Sequence, residues 1–140
     1  MNKPTSPLLV LQEVDRRERR GVMAALDLSQ CLLWFNPEGL VVDANPNAQA
    51  LFQRDLRTMQ ALNHATLVGE DHPESRHYQA HWGRIRDGLI RNEERSFRDA
   101  QGNEIWTSVS YAAIRNGSGR TRRILAIVID LSPWSWRPKD

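Results

Sequence analysis

The sequence predicts an α+β domain. Its core is a five-stranded antiparallel sheet of order 2-1-5-4-3, with helices on one face and an N-terminal amphipathic helix on the other. Three observations predict it. First, Ile124–Ile129 is an unbroken run of six apolar residues, mostly β-branched, near the C-terminus. A short run that does not alternate reads as a strand covered on both faces, hence a central one. Second, two strand-like segments precede the helical middle of the chain and three follow it. They share one sheet with the last strand central only in that order. Third, Leu8, Leu11, Val14, Val22 and Leu26 form a rough helical stripe, which supplies a cover for the second face of the sheet.

The chain has 140 residues, 40% hydrophobic and 26% charged. That suffices for one core and is ordinary for a globular domain. A formal net charge of +2 gives no case for a nucleic-acid partner. The nearest basic patch, Arg16, Arg17, Arg19 and Arg20, is interrupted by Asp15 and Glu18 and reads as a solvated helix face. Cys31 is the one cysteine. It excludes an internal disulfide and a multi-cysteine zinc site and fits a reducing cytoplasm. No apolar run approaches the roughly 20 residues of a membrane span, and Leu8–Leu11 is too short for a signal-peptide core. No membrane contact is expected.

Pro7 can open the first helix, which spans about residues 8 to 25; Gly21 weakens its middle, and Asp27, Ser29 and Gln30 break it. Cys31–Asn36 and Leu40–Ala44 are strands joined by a Pro37-Glu38-Gly39 turn, forming a hairpin. Asn45 caps a short helix starting at Pro46, which buries Ala48, Leu51 and Phe52. Residues 54 to 75 are polar and irregular, with short helical turns at best. Tyr78, Trp82, Ile85 and Leu89 mark a helix over Tyr78–Leu89, frayed at Gly88. Arg91–Asp99 is polar apart from Phe97, as befits an edge strand. Glu104–Arg115 and Thr121–Leu131 follow, and Pro133 and Pro138 keep the Trp134–Trp136 tail from forming a regular helix. The expected layout is a tail and cap helix over 1–26, the domain over 27–132, and a tail over 133–140.

The segment Trp34 to Pro46, with Asn36-Pro37-Glu38-Gly39 and Asp43-Ala44-Asn45-Pro46, resembles the opening hairpin and helix of PAS domains. Tyr78 to Gly88 resembles the aromatic helix of the PAS domains of bacterial chemotaxis and aerotaxis receptors. Asp99 to Tyr111, with Gly102, Trp106, Ser110 and Tyr111, is similar to a segment of the same group, and Ile129-Asp130-Leu131-Ser132 stands where those domains end. Together the motifs cover about residues 27 to 132. The chain departs from the group at Gln53-Arg54, where a glycine–tyrosine pair is usual, and after Ser132, where a signalling helix is usual. The output module is therefore expected elsewhere.

The resemblance implies a non-enzymatic sensory domain that binds a small ligand or redox cofactor in its core and relays a bias to a signalling partner or dimer mate. The implied pocket residues are Trp82, Asn45, Phe35, Phe52, Ile85, Phe97, Thr107, Val109, Tyr111, Ala126 and Val128. FAD is the first cofactor expectation and haem the second, with His64 as the iron ligand if haem is bound and a surface residue otherwise. A core without cofactor, serving protein interaction alone, stands beside them. Trp82 is either a wall of the pocket or a core anchor. Light-sensing relatives place a cysteine in a middle helix; Cys31 is on the first strand, so it reads as a small core residue.

No serine–histidine–aspartate spacing or phosphate-binding glycine loop stands out, and Ser108 and Ser110 read as strand residues. His77 and His81 are four apart on one helix, but no third ligand accompanies them, and they read as a solvated face. His72 lies in the same poorly matched region as His64. Strand parity turns Leu33 and Ile124 inward with the pocket set, and Leu32, Trp34, Trp106, Leu125, Ile127 and Ile129 outward. So large an apolar back calls for cover. The helix over residues 8–25 provides it, in its own chain or a partner's, and the resemblance implies a homodimer through that helix.

Overall fold

A computed structural model describes residues 16–132. Leu8, Leu11 and Val14 of the N-terminal stripe and the Trp134–Trp136 tail lie outside the described residues. The elements are α1 (Arg16–Ser29), β1 (Cys31–Phe35), β2 (Val41–Ala44), α2 (Pro46–Phe52), α3 (Leu56–Met59), α4 (His64–Leu67), α5 (Arg76–Arg86), β3 (Asn92–Arg98), β4 (Glu104–Arg115) and β5 (Thr121–Asp130). The strands form one sheet in the order β2-β1-β5-β4-β3, and every pairing is antiparallel. β5 is central, as its apolar run requires. Leu33 and Tyr111 flank Ala126 from either side, and Cys31 and Val109 flank Val128.

α1 continues through Asp27 to Ser29, past the expected break. The reason is local. Ser29 Oγ donates to the Ala25 carbonyl at 2.9 Å and Gln30 N–H to the Leu26 carbonyl at 2.8 Å. Asn45 and Asn47 then take up the loose carbonyls that a helix end leaves: Asn45 Nδ2 donates to Asp27 O at 3.1 Å and Gln30 O at 2.7 Å, and Asn47 Nδ2 to Leu28 O at 3.1 Å. The inner face of α1 is Val22, Met23 and Leu26. It packs on Leu32, Trp34, Ala112, Leu125 and Ile127, so the chain covers the back of its own sheet. The cover is partial. Ile129, expected to be buried, is 38% exposed and Trp106 is half-buried, because the α1 side chains reach only the β1–β5 side and Ala112.

The hairpin turn closes with Gly39 N–H on Asn36 O at 2.9 Å, and Gly39 holds φ +94, a left-handed value that glycine adopts freely. Leu40 lies outside β2 and bridges Asn63 instead. The polar stretch 54–75 folds as two single-turn helices, capped by Asp55 on Thr58 N and by Asn63 on Thr66 N. At the glycine–tyrosine departure, Gln53 adopts φ 57, which shows why glycine is usual there. α5 starts at the Ser75 cap and stops at Arg86, with Gly88 at φ +81. That stop removes Leu89 from the buried stripe: it is 75% exposed, and Ile90 packs against the core instead.

Candidate functional site

The helices of the middle region enclose the inner face of the sheet. All eleven expected pocket residues are buried. The core they share is centred on a residue the sequence places at the surface. His64 is the first residue of α4, and its N–H donates to Gly39 O at 2.8 Å, while Val41 N–H donates to Leu62 O at 3.0 Å. These backbone bonds fasten α4 under the hairpin. They drive the His64 ring into the interior, where its exposure is 0%.

Aromatic rings surround it. Trp82 lies 4.9 Å away between centroids, Phe35 5.6 Å, Tyr78 6.0 Å, Phe97 6.1 Å and Tyr111 6.2 Å. Phe35 also meets Trp82 edge-on at 5.6 Å, and Phe97 meets Phe52 at 5.6 Å. Edge-to-face contacts at such distances are favourable for aromatic pairs. Trp82 is a core anchor here: its Nε1–H donates to Pro37 O at 2.8 Å, and a Cβ built on Gly39 would lie 3.4 Å from its ring. The indole therefore pins α5 to the hairpin turn.

Both ring nitrogens of His64 are engaged. Nδ1 lies 2.7 Å from the Tyr78 hydroxyl and Nε2 3.2 Å from the Tyr111 hydroxyl. The Tyr111 hydroxyl donates to Glu93 Oε2 at 2.8 Å. Glu93 Oε1 in turn is 3.0 Å from His81 Nε2, with the Arg95 guanidinium 3.4 Å from the same nitrogen. Burial depresses the His64 imidazole to about 3, helped by the Arg95 guanidinium and by His81 nearby. Burial raises the Tyr78 hydroxyl, and burial plus the Glu93 carboxylate raises that of Tyr111 well above its usual value. All three rings are thus neutral at pH 7.

Two expected site residues serve other bonds. Asn45 sits at the junction of α1, β1 and α2. Its Oδ1 accepts from Leu32 N–H at 3.0 Å and Ala48 N–H at 2.9 Å, and its Nδ2 holds the end of α1. Thr107 donates its hydroxyl to Arg95 O at 2.7 Å, which secures edge strand β3. Ile85, Val109, Ala126 and Val128 belong to the same apolar core as the rings. His77 and His72 are exposed, but His81 is partly buried against Glu93, contrary to a solvated face. Among the described residues no group of three metal-ligating side chains forms. Cys31 is half-buried on β1, and burial, then Asp130, raises its thiol.

Sequence reasoning missed the polar chain through His64. A signal for it was present. Parity turns Tyr111 inward and helical spacing buries Tyr78, and two buried phenols require polar partners.

A planar ring sandwiched between two walls needs van der Waals separation of about 3.5 Å on each face. The His64 ring already fills that space, its centroid 4.9 to 6.2 Å from those of Trp82, Phe35, Tyr78, Phe97 and Tyr111. The rings as arranged do not fit a tricyclic flavin between them. Nor does His64 offer a free nitrogen to a haem iron.

A family model described as PAS domain matches residues 30–133. The biofilm dispersion protein BdlA of Pseudomonas aeruginosa is 28% identical over 109 residues, which are 78% of this chain and 26% of that protein. The chain thus spans about a quarter of that relative's length. A domain of a sensory box sensor histidine kinase/response regulator from Geobacter sulfurreducens superposes with a TM-score of 0.65 at 22% identity, over 83% of this chain and 97% of that one. A light-oxygen-voltage domain studied with a flavin analogue superposes with a TM-score of 0.64 at 18% identity, over 84% of this chain and 87% of that one. At these identities the structural likeness is one of fold.

Proposed function

The chain belongs to the PAS family, and on that premise we propose that it is a non-enzymatic signalling domain with a self-filled core. It passes a conformational bias to a protein partner or to a second copy of itself. The observation that carries this reading is the closed cluster of Phe35, His64, Trp82, Phe97 and Tyr111 with its satisfied hydrogen bonds. Such a core has two ways to respond: it stays packed, or it repacks and shifts the strands and helices it ties together. A partner that favours one arrangement shifts the population. The chemoreceptor-like motifs and the sensory relatives support a signalling setting, and the lone thiol supports the cytoplasm.

A flavin-bound core is the second reading. It is favoured by Trp82, which the resemblance makes a candidate pocket wall, and by the fold shared with a light-oxygen-voltage domain studied with a flavin analogue. For it, His64 has to leave the space between Trp82 and Tyr111. The visible absorption spectrum of the purified protein separates the readings. The self-filled core predicts neither flavin bands nor a Soret band; either at one equivalent per chain overturns it.

The partner we favour is a second copy. The inner face of α1 is used within the protomer, and the interface we propose is formed by the sequence stripe of Leu8, Leu11 and Val14, which precedes the described residues. Leu11→Glu or Val14→Glu is expected to turn dimers into monomers in sedimentation, with the fold retained. An unchanged oligomer removes this helix from the interface.

A further inference from the structure

The chain Tyr78, His64, Tyr111, Glu93 fixes each proton by elimination. An ionised Glu93 only accepts, so Tyr111 donates to it at 2.8 Å. With its proton directed there, Tyr111 can only accept from His64 Nε2, which stands 3.2 Å away. The proton of the neutral imidazole is therefore on Nε2, an assignment that rests on the network. Nδ1 is left as an acceptor, and Tyr78 donates to it at 2.7 Å. At the far end His81 Nε2 faces both Glu93 Oε1 at 3.0 Å and Arg95 Nη1 at 3.4 Å. The shorter contact to the carboxylate makes it a donor to Glu93.

The opposite polarity makes the same two bonds to the ring but leaves the Tyr78 proton without an acceptor among the described side chains. Tyr111 can donate to Nε2, and an Nδ1–H can donate to Tyr78. The two directions differ at their ends, and Glu93, which takes the Tyr111 proton, selects the first. It lies on edge strand β3 with its side chain 14% exposed, while His64 is 0% exposed. We propose that the Glu93 carboxylate sets the tautomer of His64. Removing the carboxylate reverses the two hydrogen bonds of His64, those to Tyr111 on β4 and Tyr78 on α5. Glu93 is thus a positioning residue that lets the edge of the sheet be read in its centre. This rests on the self-filled core, in which His64 keeps both hydrogen bonds.

Two-bond proton–nitrogen correlation spectra of the imidazoles in 15N-labelled protein test it. Wild type is expected to show His64 with pyrrole-like Nε2 and pyridine-like Nδ1. Glu93→Leu removes the acceptor and is expected to exchange the two assignments, as is Tyr111→Phe, which removes the link. Glu93→Gln keeps an acceptor oxygen and is expected to retain the wild-type tautomer. Backbone amide spectra report that each variant is folded. Wild-type His64 protonated on Nδ1 overturns the assignment, and a folded Glu93→Leu or Tyr111→Phe with Nε2 still protonated overturns the lever.

Discussion

Acidification is expected to destabilise the protein by up to about 1.4 kcal/mol per pH unit below pH 6.5, and replacing His64 is expected to remove that slope. The folded state holds His64 neutral down to about 3, whereas the unfolded chain protonates it near its ordinary value of about 6.5. Between those two points only the unfolded state binds the proton. Stability that is present above pH 6.5 is therefore lost as pH falls, and the loss is complete near pH 3. Integrated over the window, the contribution is on the order of 5 kcal/mol. The carboxylates add their own acid dependence below about pH 5, so the diagnostic interval is pH 6.5 to 5. Urea unfolding at half-unit steps measures it. His64→Gln, which hydrogen-bonds without titrating, should flatten the curve in that interval. A His64→Gln profile parallel to wild type means that His64 is not neutral in the folded state.

Trp82→Ala is expected to cost about 3–5 kcal/mol, the range for deleting a buried aromatic side chain. The indole is 3% exposed and meets the rings of Phe35 and His64. Its loss also strips Pro37 O of the Nε1–H donor. Trp82→Phe retains most of the ring contact and should cost less than half as much. Urea midpoints of the two variants decide the matter. A Trp82→Ala protein within about 1 kcal/mol of wild type would show that the indole is no structural anchor, since such small changes typify surface sites. The position would then be free for a ligand contact.

The sheet was legible because its signals are local and redundant. The six-residue run of β5 has no polar face to expose, the hairpin carries Pro37 and Gly39 in the turn, and Phe97 marks the one buried position of an otherwise polar edge. Parity then assigned both faces, and the inward set Leu33, Phe35, Thr107, Val109, Tyr111, Ile124, Ala126 and Val128 is buried throughout. What was illegible depends on contacts distant in sequence. The length of α1 is set by Asn45 and Asn47 catching its last carbonyls. The exposure of Leu89 follows from a helix that stops three residues earlier, where Arg115 donates to Asp87 O and Thr121 to Arg86 O. His64 lies in a polar stretch with no periodicity, and nothing near it announces that α4 turns under the hairpin. Its burial is decided by backbone bonds to Gly39 and by phenols 14 and 47 residues away. The candidate site was thus legible as a set of walls, and its centre was not.

Refolding the protein in excess FAD, followed by desalting, tests the self-filled core most directly, since it offers the cofactor before the rings close. The account predicts that no flavin remains with the protein and that His64 keeps its neutral, doubly bonded ring. One flavin retained per chain, with the His64 ring displaced from between Trp82 and Tyr111, would contradict it.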